Sequence, residues 1–353
     1  MGEDRPDGAA PARDGGSGAR KRATVEQVAR LAGVSTATVS RVLNGTAAVA
    51  GATERRVREA IDLLAFRPTP QARNLRMGRT GNIALIVPSI TNPFFPELMA
   101  HVNREVRTRD YSLLLFDSPQ PEDEGVRVAR SRLADGIILV GSPSAAAAAW
   151  SPLELADVPV VAFDRRPRAL SAPVVQVDNY RGAREVVAHL AGRGHRRIAF
   201  IGGPRGVSVS ADRARGYRAG LRAESLAADP GIVTAGEFDE DSGYAAAVRL
   251  LRGNGGFTAL FAANDLMAIG AMSALRDQGV AVPGQVAVAG FDGIHLGRYV
   301  APSLTTYAQP TAELARRAVE LLAAAIAGPP PLRPPTLKLA GQLVVRDSTG
   351  PAR

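Results

Sequence analysis

Short, continuous apolar runs alternate with helix-like stretches through the middle of the chain, and this alternation narrows the possible folds most. The runs are Asn82-Ile83-Ala84-Leu85-Ile86-Val87, Tyr111-Ser112-Leu113-Leu114-Leu115-Phe116, Gly136-Ile137-Ile138-Leu139-Val140 and Val158-Pro159-Val160-Val161-Ala162-Phe163. Helical patterns fall between them, over Pro96 to Arg109 and about Glu122 to Leu133. The pattern restarts after Val177-Asp178-Asn179, with a helix over Tyr180 to Arg193 and a run at Arg197-Ile198-Ala199-Phe200-Ile201. A strand buried on both faces reads as an unbroken apolar run, and strands separated by helices form parallel sheets covered on both sides. Two such halves predict an α/β core of two lobes with parallel Rossmann-like sheets and a cleft between them.

In open α/β sheets a ligand sits beyond the carboxyl ends of the strands. That rule selects Pro88, Asn92, Phe94, Phe95, Asp164, Arg213, Phe238, Asn264 and Asp292. Phe95 and Phe238 can sandwich a flat ring or the apolar face of a sugar. Asp164, Arg213, Asn264 and Asp292 carry hydrogen-bonding groups suited to hydroxyls or ring nitrogens. An Asp or Asn after a strand is as well suited to capping the next helix, and Asp265 is expected to do that rather than touch ligand. His195, in a Gly-rich turn, is expected to be structural.

The first 80 residues follow a different pattern. Residues 20–79 carry 12 Lys and Arg against four acidic residues, a balance of +8, while the whole chain carries +9. Such a concentration of positive charge favours a polyanionic partner. Thr24-Val25-Glu26-Gln27 reads as a capping box opening a short helix with Val25, Val28, Ala29 and Leu31 on its apolar face. Gly33 ends it, Ser35 can cap a second helix from Thr36 to about Asn44, and a third starts at Thr53. Two short helices joined by a tight glycine turn are a helix-turn-helix unit, whose second helix enters the major groove. Thr36, Ala37, Thr38, Ser40 and Arg41 then lie on the reading surface. Arg41 is the best base reader, because a guanidinium bonds guanine O6 and N7 together. Thr38 and Ser40 suit phosphate oxygens. Downstream, Thr69 can cap a short helix with Pro70 in its first turn, and Leu75 stands among Arg73, Arg76 and Arg79. An apolar residue set among arginines suits a minor-groove wedge.

Composition removes other classes. The 353 residues contain no Cys and only four His, at no metal-site spacing, so neither disulfides nor a metal site is expected. There is no apolar run of membrane-spanning length, and Met1 to Gly18 lacks the apolar core of a signal peptide. A cytoplasmic protein with a disordered, basic-ended tail is expected. No GxGxxG follows the first strand and no Walker motif occurs, so an enzyme with a phosphate-binding cofactor is not expected. A solute-binding transport protein would fit the two-lobed core but not the basic helical head.

The segments Thr24-Val25-Glu26-Gln27-Val28-Ala29 and Ala32-Gly33-Val34-Ser35-Thr36-Ala37-Thr38-Val39-Ser40-Arg41-Val42-Leu43-Asn44 resemble the start of LacI-family repressors, and the resemblance extends over residues 23–348. It implies a tail over 1–22, a DNA-binding headpiece over 23–68 and a hinge helix with linker over 69–79. An effector-binding and dimerisation core follows over 80–348. The N-lobe is expected at about 80–178 and 307–328, the C-lobe at about 179–303 and 336–348. The carried-over DNA contacts are Thr24, Ser35, Thr36, Ala37, Thr38, Ser40, Arg41, Asn44, Arg55, Ala72, Arg73, Leu75 and Arg76, with Leu75 prying open a base step. The carried-over effector contacts are Asn92, Phe94, Phe95, Asp164, Arg213, Phe238, Asn264 and Asp292. Three positions depart from the family pattern: Ala50 stands where a phosphate-contacting Ser is usual, Glu54 where Arg is common, and Thr69 for a frequent Asn. Val207 and Val209 replace polar side chains of purine-binding relatives, which favours a sugar-like effector over a purine. The implied function is a regulator, most simply a repressor, acting as a homodimer on a pseudo-palindromic operator in double-stranded DNA. No cofactor is implied.

Overall fold

The computed structural model describes residues 23–44, 48–66, 79–141, 158–164, 172–253, 256–328 and 333–352. The chain divides into two compact units, residues 1–73 and 74–353. The tail and the hinge positions Ala72, Arg73, Leu75 and Arg76 lie outside the described residues.

Among the described residues, the first unit has three helices, α1 (Val25–Ala32), α2 (Thr36–Asn44) and α3 (Gly51–Leu63). The capping box forms: the Gln27 amide donates to the Thr24 hydroxyl, and the Thr24 amide donates to Gln27 Oε1 at 2.9 Å. Gly33 takes φ +64°, a left-handed value open to glycine without strain, and turns the chain into α2. Val28, Ala29, Ala32, Val39, Val57, Ala60 and Phe66 form the small core. Leu31 was expected on the inner face of α1, but it is exposed, since the helix is only two turns long and its seam runs through Val28 and Ala32. The third helix starts at Gly51, ahead of the expected Thr53, with no side-chain cap from Ala50.

The second unit contains two six-stranded sheets. In chain order its elements are β1 (Asn82–Val87), α4 (Phe94–Arg107), β2 (Ser112–Asp117), α5 (Pro121–Arg130), β3 (Gly136–Val140), β4 (Val160–Phe163), β5 (Val174–Val177), α6 (Asn179–Gly192), β6 (Ile198–Gly202), α7 (Ser208–Ala223), β7 (Val233–Ala235), α8 (Glu240–Arg252), β8 (Ala259–Ala262), α9 (Asp265–Asp277), β9 (Ala287–Asp292), β10 (Thr305–Ala308), α10 (Thr311–Ala327), β11 (Thr336–Leu339) and β12 (Gln342–Val344). The N-lobe sheet runs β11-β5-β4-β3-β1-β2 and the C-lobe sheet β12-β10-β9-β8-β6-β7. Every pairing is parallel except β10 with β12. The strands β1, β3, β4, β6, β8 and β9 are buried almost throughout, which is why they read as unbroken apolar runs. Proline is tolerated in the first turn of a helix, so α4 begins before Pro96.

The crossings between lobes correct two expected boundaries. Tyr307 and Ala308 pair with Phe291 and Asp292, so β10 stays in the C-lobe and the chain crosses at Gln309–Pro310. Residues 336–348 do not all return to the C-lobe. Strand β11 completes the N-lobe sheet against β5, and the last crossing falls at residues 340–341, before β12. The apolar patterning of β11 is too short and half-exposed to show which sheet it joins.

Candidate nucleic-acid interface and ligand cleft

In the first unit, Ser35 holds the start of α2. Its hydroxyl accepts from the Thr38 amide at 3.2 Å and lies 3.0 Å from the Thr38 hydroxyl. The pair fixes the first turn of the reading helix, and Thr24 does the same for α1. Both hydroxyls are therefore engaged as caps, while Thr36, Ala37 and Arg41 are exposed beyond them. Ser40 is half-buried, and Asn44 is the last residue of α2. Arg55 is exposed on α3. Glu54 accepts both Nε and Nη2 of Arg58, at 3.0 and 2.7 Å, so the acidic replacement neutralises an arginine on its own helix.

In the second unit, the cleft residues gather around one guanidinium. Arg213, on α7 and almost fully buried, donates Nε to Asn179 Oδ1 at 2.8 Å and Nη1 to the Ala263 carbonyl at 2.5 Å. Its Nη2 pairs with Asp292 Oδ1 at 3.0 Å. The guanidinium carbon lies over the Phe291 ring, 3.9 Å from its centroid, a cation–π contact. Asp292 also accepts Gln309 Nε2 at 2.8 Å. Burial raises the Asp292 carboxyl from its ordinary range, opposed by the Arg213 charge.

Asp164 follows β4 in the N-lobe and feels both Arg213 and Asp292 across the cleft. Burial pushes its carboxyl up to about 6, with the Arg213 charge pulling it down and Asp292 pushing it up. Among the described residues, Asp164 Oδ1, Gln309 Oε1 and Ser210 Oγ are buried without a hydrogen-bond partner. Gln309 is joined to Asp292, and Ser210 stands one turn before Arg213 on α7. Backbone strain concentrates in the same place, since Asp164, Phe238 and Asp292 have φ of +65°, +68° and +115°. Non-glycine residues in that region cost free energy and cluster at ligand sites.

Two expected ligand contacts, and the cap expected of Asp265, stand differently. Phe94 is buried in the N-lobe core with Leu98 and Val102, so it is a packing residue of α4 rather than a cleft residue. Asn264 caps α9, its Oδ1 accepting the Met267 amide at 2.9 Å, and its Nδ2 donates to the Phe238 carbonyl at 2.9 Å. It is a cap and a tether that holds Phe238 in its left-handed conformation, not a free hydrogen-bonding arm. The capping expected of Asp265 is therefore done by its neighbour. Asp265 instead accepts the Thr306 hydroxyl at 2.5 Å and the amides of Gly293 and Ile294 at 2.8 and 2.9 Å. Burial and the Asp292 charge push its carboxyl up to about 8 against the pull of those donors.

The remaining positions fit the strand-end rule. Asn92 is half-buried and its Oδ1 accepts the Phe94 amide at 3.0 Å, ordering the turn into α4. Phe95 is half-buried and meets Phe94 edge-on with ring centroids 5.3 Å apart. Phe238 is half-buried beside Gly203 and Ser210, where a Cβ on Gly203 would strike its ring. His195 bonds Thr258 Oγ1 at 3.0 Å and the Gly350 carbonyl at 3.1 Å, pinning the C-terminal segment. Asn179 and Gln309 escaped sequence reasoning. Both follow strand ends that are also lobe crossings, β5 and β10, and nearness to a crossing was the signal that could have found them.

Comparison with known proteins gives the same two-part division. Residues 24–69 match the model of bacterial regulatory proteins of the lacI family, and residues 187–349 match the periplasmic binding protein-like domain. The HTH-type transcriptional repressor PurR of Vibrio atlanticus is 33% identical over 303 residues, covering 85% of this chain and 91% of that protein. The ribose operon repressor of Halalkalibacterium halodurans is 34% identical over 92% of this chain and 97% of its own length. Among solved structures, a CelR–cellobiose complex superposes with a TM-score of 0.68 at 32% identity, covering 93% of this chain and all of that one. The lac repressor dimer bound to operator and the anti-inducer ONPF superposes at 0.83 with 25% identity, over 94% of this chain and all of that one. A capped helix-turn-helix and a two-lobed core, each with full-length counterparts, leave one assignment: the chain belongs to the LacI family of bacterial transcriptional regulators.

Proposed function

We propose that the chain is a repressor acting as a homodimer on a pseudo-palindromic operator, and that an uncharged, sugar-like effector in the cleft sets its affinity for DNA. The observation that carries the effector reading is the buried, unpartnered Asp164 Oδ1 beside the Arg213–Asp292 pair. A buried acceptor without a donor costs about 1–3 kcal/mol, so a ligand that brings hydroxyl donors is favoured there. Gln309 Oε1 and Ser210 Oγ add two more groups open to donors. Three of the five N–H donors of Arg213 are engaged within the described residues, which leaves two for ligand oxygens. Phe95 and Phe238 are half-buried aromatic residues beyond strand ends in the two lobes, and they suit the apolar face of a sugar. The solved relatives include regulators with cellobiose and with ribose bound.

The chain works by binding, without catalysis, in the cytoplasm where its operator lies. Arg41 reads a base and Thr36 and Ala37 admit the helix to the groove, with Arg55 on the backbone. The family resemblance adds Ala72, Arg73, Leu75 and Arg76, outside the described residues, to the DNA contacts. The test is a thermal-shift screen of neutral sugars and nucleosides, followed by gel shifts on a duplex selected from random DNA. A neutral sugar that raises the melting temperature and alters DNA binding supports the reading. A nucleoside that does both while sugars do neither overturns the sugar class.

A further inference from the structure

The turn that follows Asp292 makes contacts in both lobes. Gly293 has φ +79°, and a Cβ there would strike Ala308, so the turn is tight against β10. Asp265 grips the amides of Gly293 and Ile294 from the C-lobe side. The Ile294 side chain, 1% exposed, packs in the N-lobe core with Phe94, Leu98 and Val102. Leu266, beside Asp265, enters the same core. The next residue closes the crossing, since the His295 amide donates to Glu97 Oε1 on α4 at 2.7 Å. Glu97 also acts on Asp292, its negative charge opposing ionisation there. Four consecutive residues thus join the Arg213 pair to the first turn of α4.

We propose that this Asp292–His295 turn couples the ligand cleft to the N-lobe, with Glu97 as the positioning residue that receives the signal. A donor reaching Asp292 weakens or re-aims its bond to Arg213. Because Asp265 holds the amides of both Gly293 and Ile294, the turn shifts as one body, and a displacement of Asp292 carries Ile294 and the His295 amide with it. Ile294 is seated in a packed core and the His295 amide on a charged acceptor, so the displacement is felt by α4 rather than lost in a loose loop. The hydrogen bond to Glu97 is charge-assisted and therefore stronger than an ordinary one. This inference rests on the cleft being the effector site.

The test needs no effector. Hydrogen exchange is followed on the full-length protein over residues 293–298 and 94–100, in wild type and in Glu97→Ala, Glu97→Gln and Asp292→Asn variants. Glu97→Ala is expected to speed exchange of the 293–298 segment by about tenfold, the loss of one charge-assisted bond. Glu97→Gln keeps an acceptor and is expected to restore most of the protection. Asp292→Asn is expected to change exchange in 94–100 in the wild-type background and to have no such effect when combined with Glu97→Ala. A merely structural Glu97 would give additive changes, and that additivity would overturn the proposal. Should Glu97→Ala unfold, the same double-variant comparison with Ile294→Ala decides it. A failed sugar screen would leave the coupling standing, and failed coupling would leave the effector reading standing, so the two are separable.

Discussion

Asp164 and Arg41 are single residues with separate consequences. Asp164 has a folded-state carboxyl pushed up to about 6 by burial, above the ordinary value of 3.8. Between pH about 4 and 6 the folded protein therefore holds a proton that the unfolded chain has released. Stability from this group is present below about pH 4 and is lost as pH rises through 6. In the unliganded protein Asp164→Asn is expected to add on the order of 2 kcal/mol at pH 7.5 and to flatten the stability between pH 4 and 6. Urea unfolding at several pH values measures both, and an unchanged pH profile would exclude Asp164 as the source. Arg41 is exposed on α2, clear of the small core. Arg41→Ala is expected to cost about 1–3 kcal/mol of discrimination at one base position while leaving headpiece stability unchanged. Competition binding on duplexes varied one base at a time shows it, and equal losses on every sequence would assign Arg41 to phosphate.

At the scale of elements, the caps decide how firmly the reading helix is held. Ser35→Ala removes the oxygen that accepts the Thr38 amide, and about 1 kcal/mol of headpiece stability is expected to go with it. Thermal melting of the full chain followed by a probe in the headpiece measures the loss, and restoration by Ser35→Asp would tie it to capping. These elements were legible in the sequence because caps and glycine turns are local: Thr24 pairs with Gln27, Gly33 with Ala29 and Arg30, and Ser35 with Thr38, each within four residues. The buried strands were legible for a similar reason, since burial on both faces leaves a continuous apolar run. Partnerships between distant segments were not. Phe94 and Phe95 are adjacent and alike, and only the packing of α4 on the N-lobe sends one inward and leaves the other half-exposed. Asn264 and Asp265 are likewise adjacent, and the tertiary position of Gly293 and Thr306 decides which caps and which bridges. Which sheet β11 joins depends on a crossing that no local pattern records.

For the whole molecule, the charge lies in one region and the ligand chemistry in another. The excess of basic residues over 20–79 supplies a sequence-independent, salt-sensitive attraction to DNA. The cleft is a buried cluster in which Asp164 and Asp292 stand against Arg213 alone among the described residues that act on them most strongly. Regulation requires that the effector bind one lobe arrangement more tightly than the other, because equal affinity for both shifts nothing. The Arg213–Asp292 pair lies within the C-lobe, beside the crossing at Gln309, and faces Asp164 of the N-lobe, so it is placed to sense which arrangement holds. Removing the Asp292 charge should leave the reading head untouched, as the headpiece carries its own core. Asp292→Asn retains an oxygen for Gln309 Nε2 and for Arg213, which limits the damage to the fold. The variant is therefore expected to keep its preference for the selected duplex over scrambled DNA, since no DNA contact has changed. Its affinity for DNA is expected to stay flat as effector is added, where that of wild type moves by about 5–150-fold, the usual range of allosteric coupling. A titration of DNA binding against effector, run on both proteins at one salt concentration, separates the outcomes. A full response from Asp292→Asn would remove this pair from the switch and leave Asp164 and Gln309 to carry it.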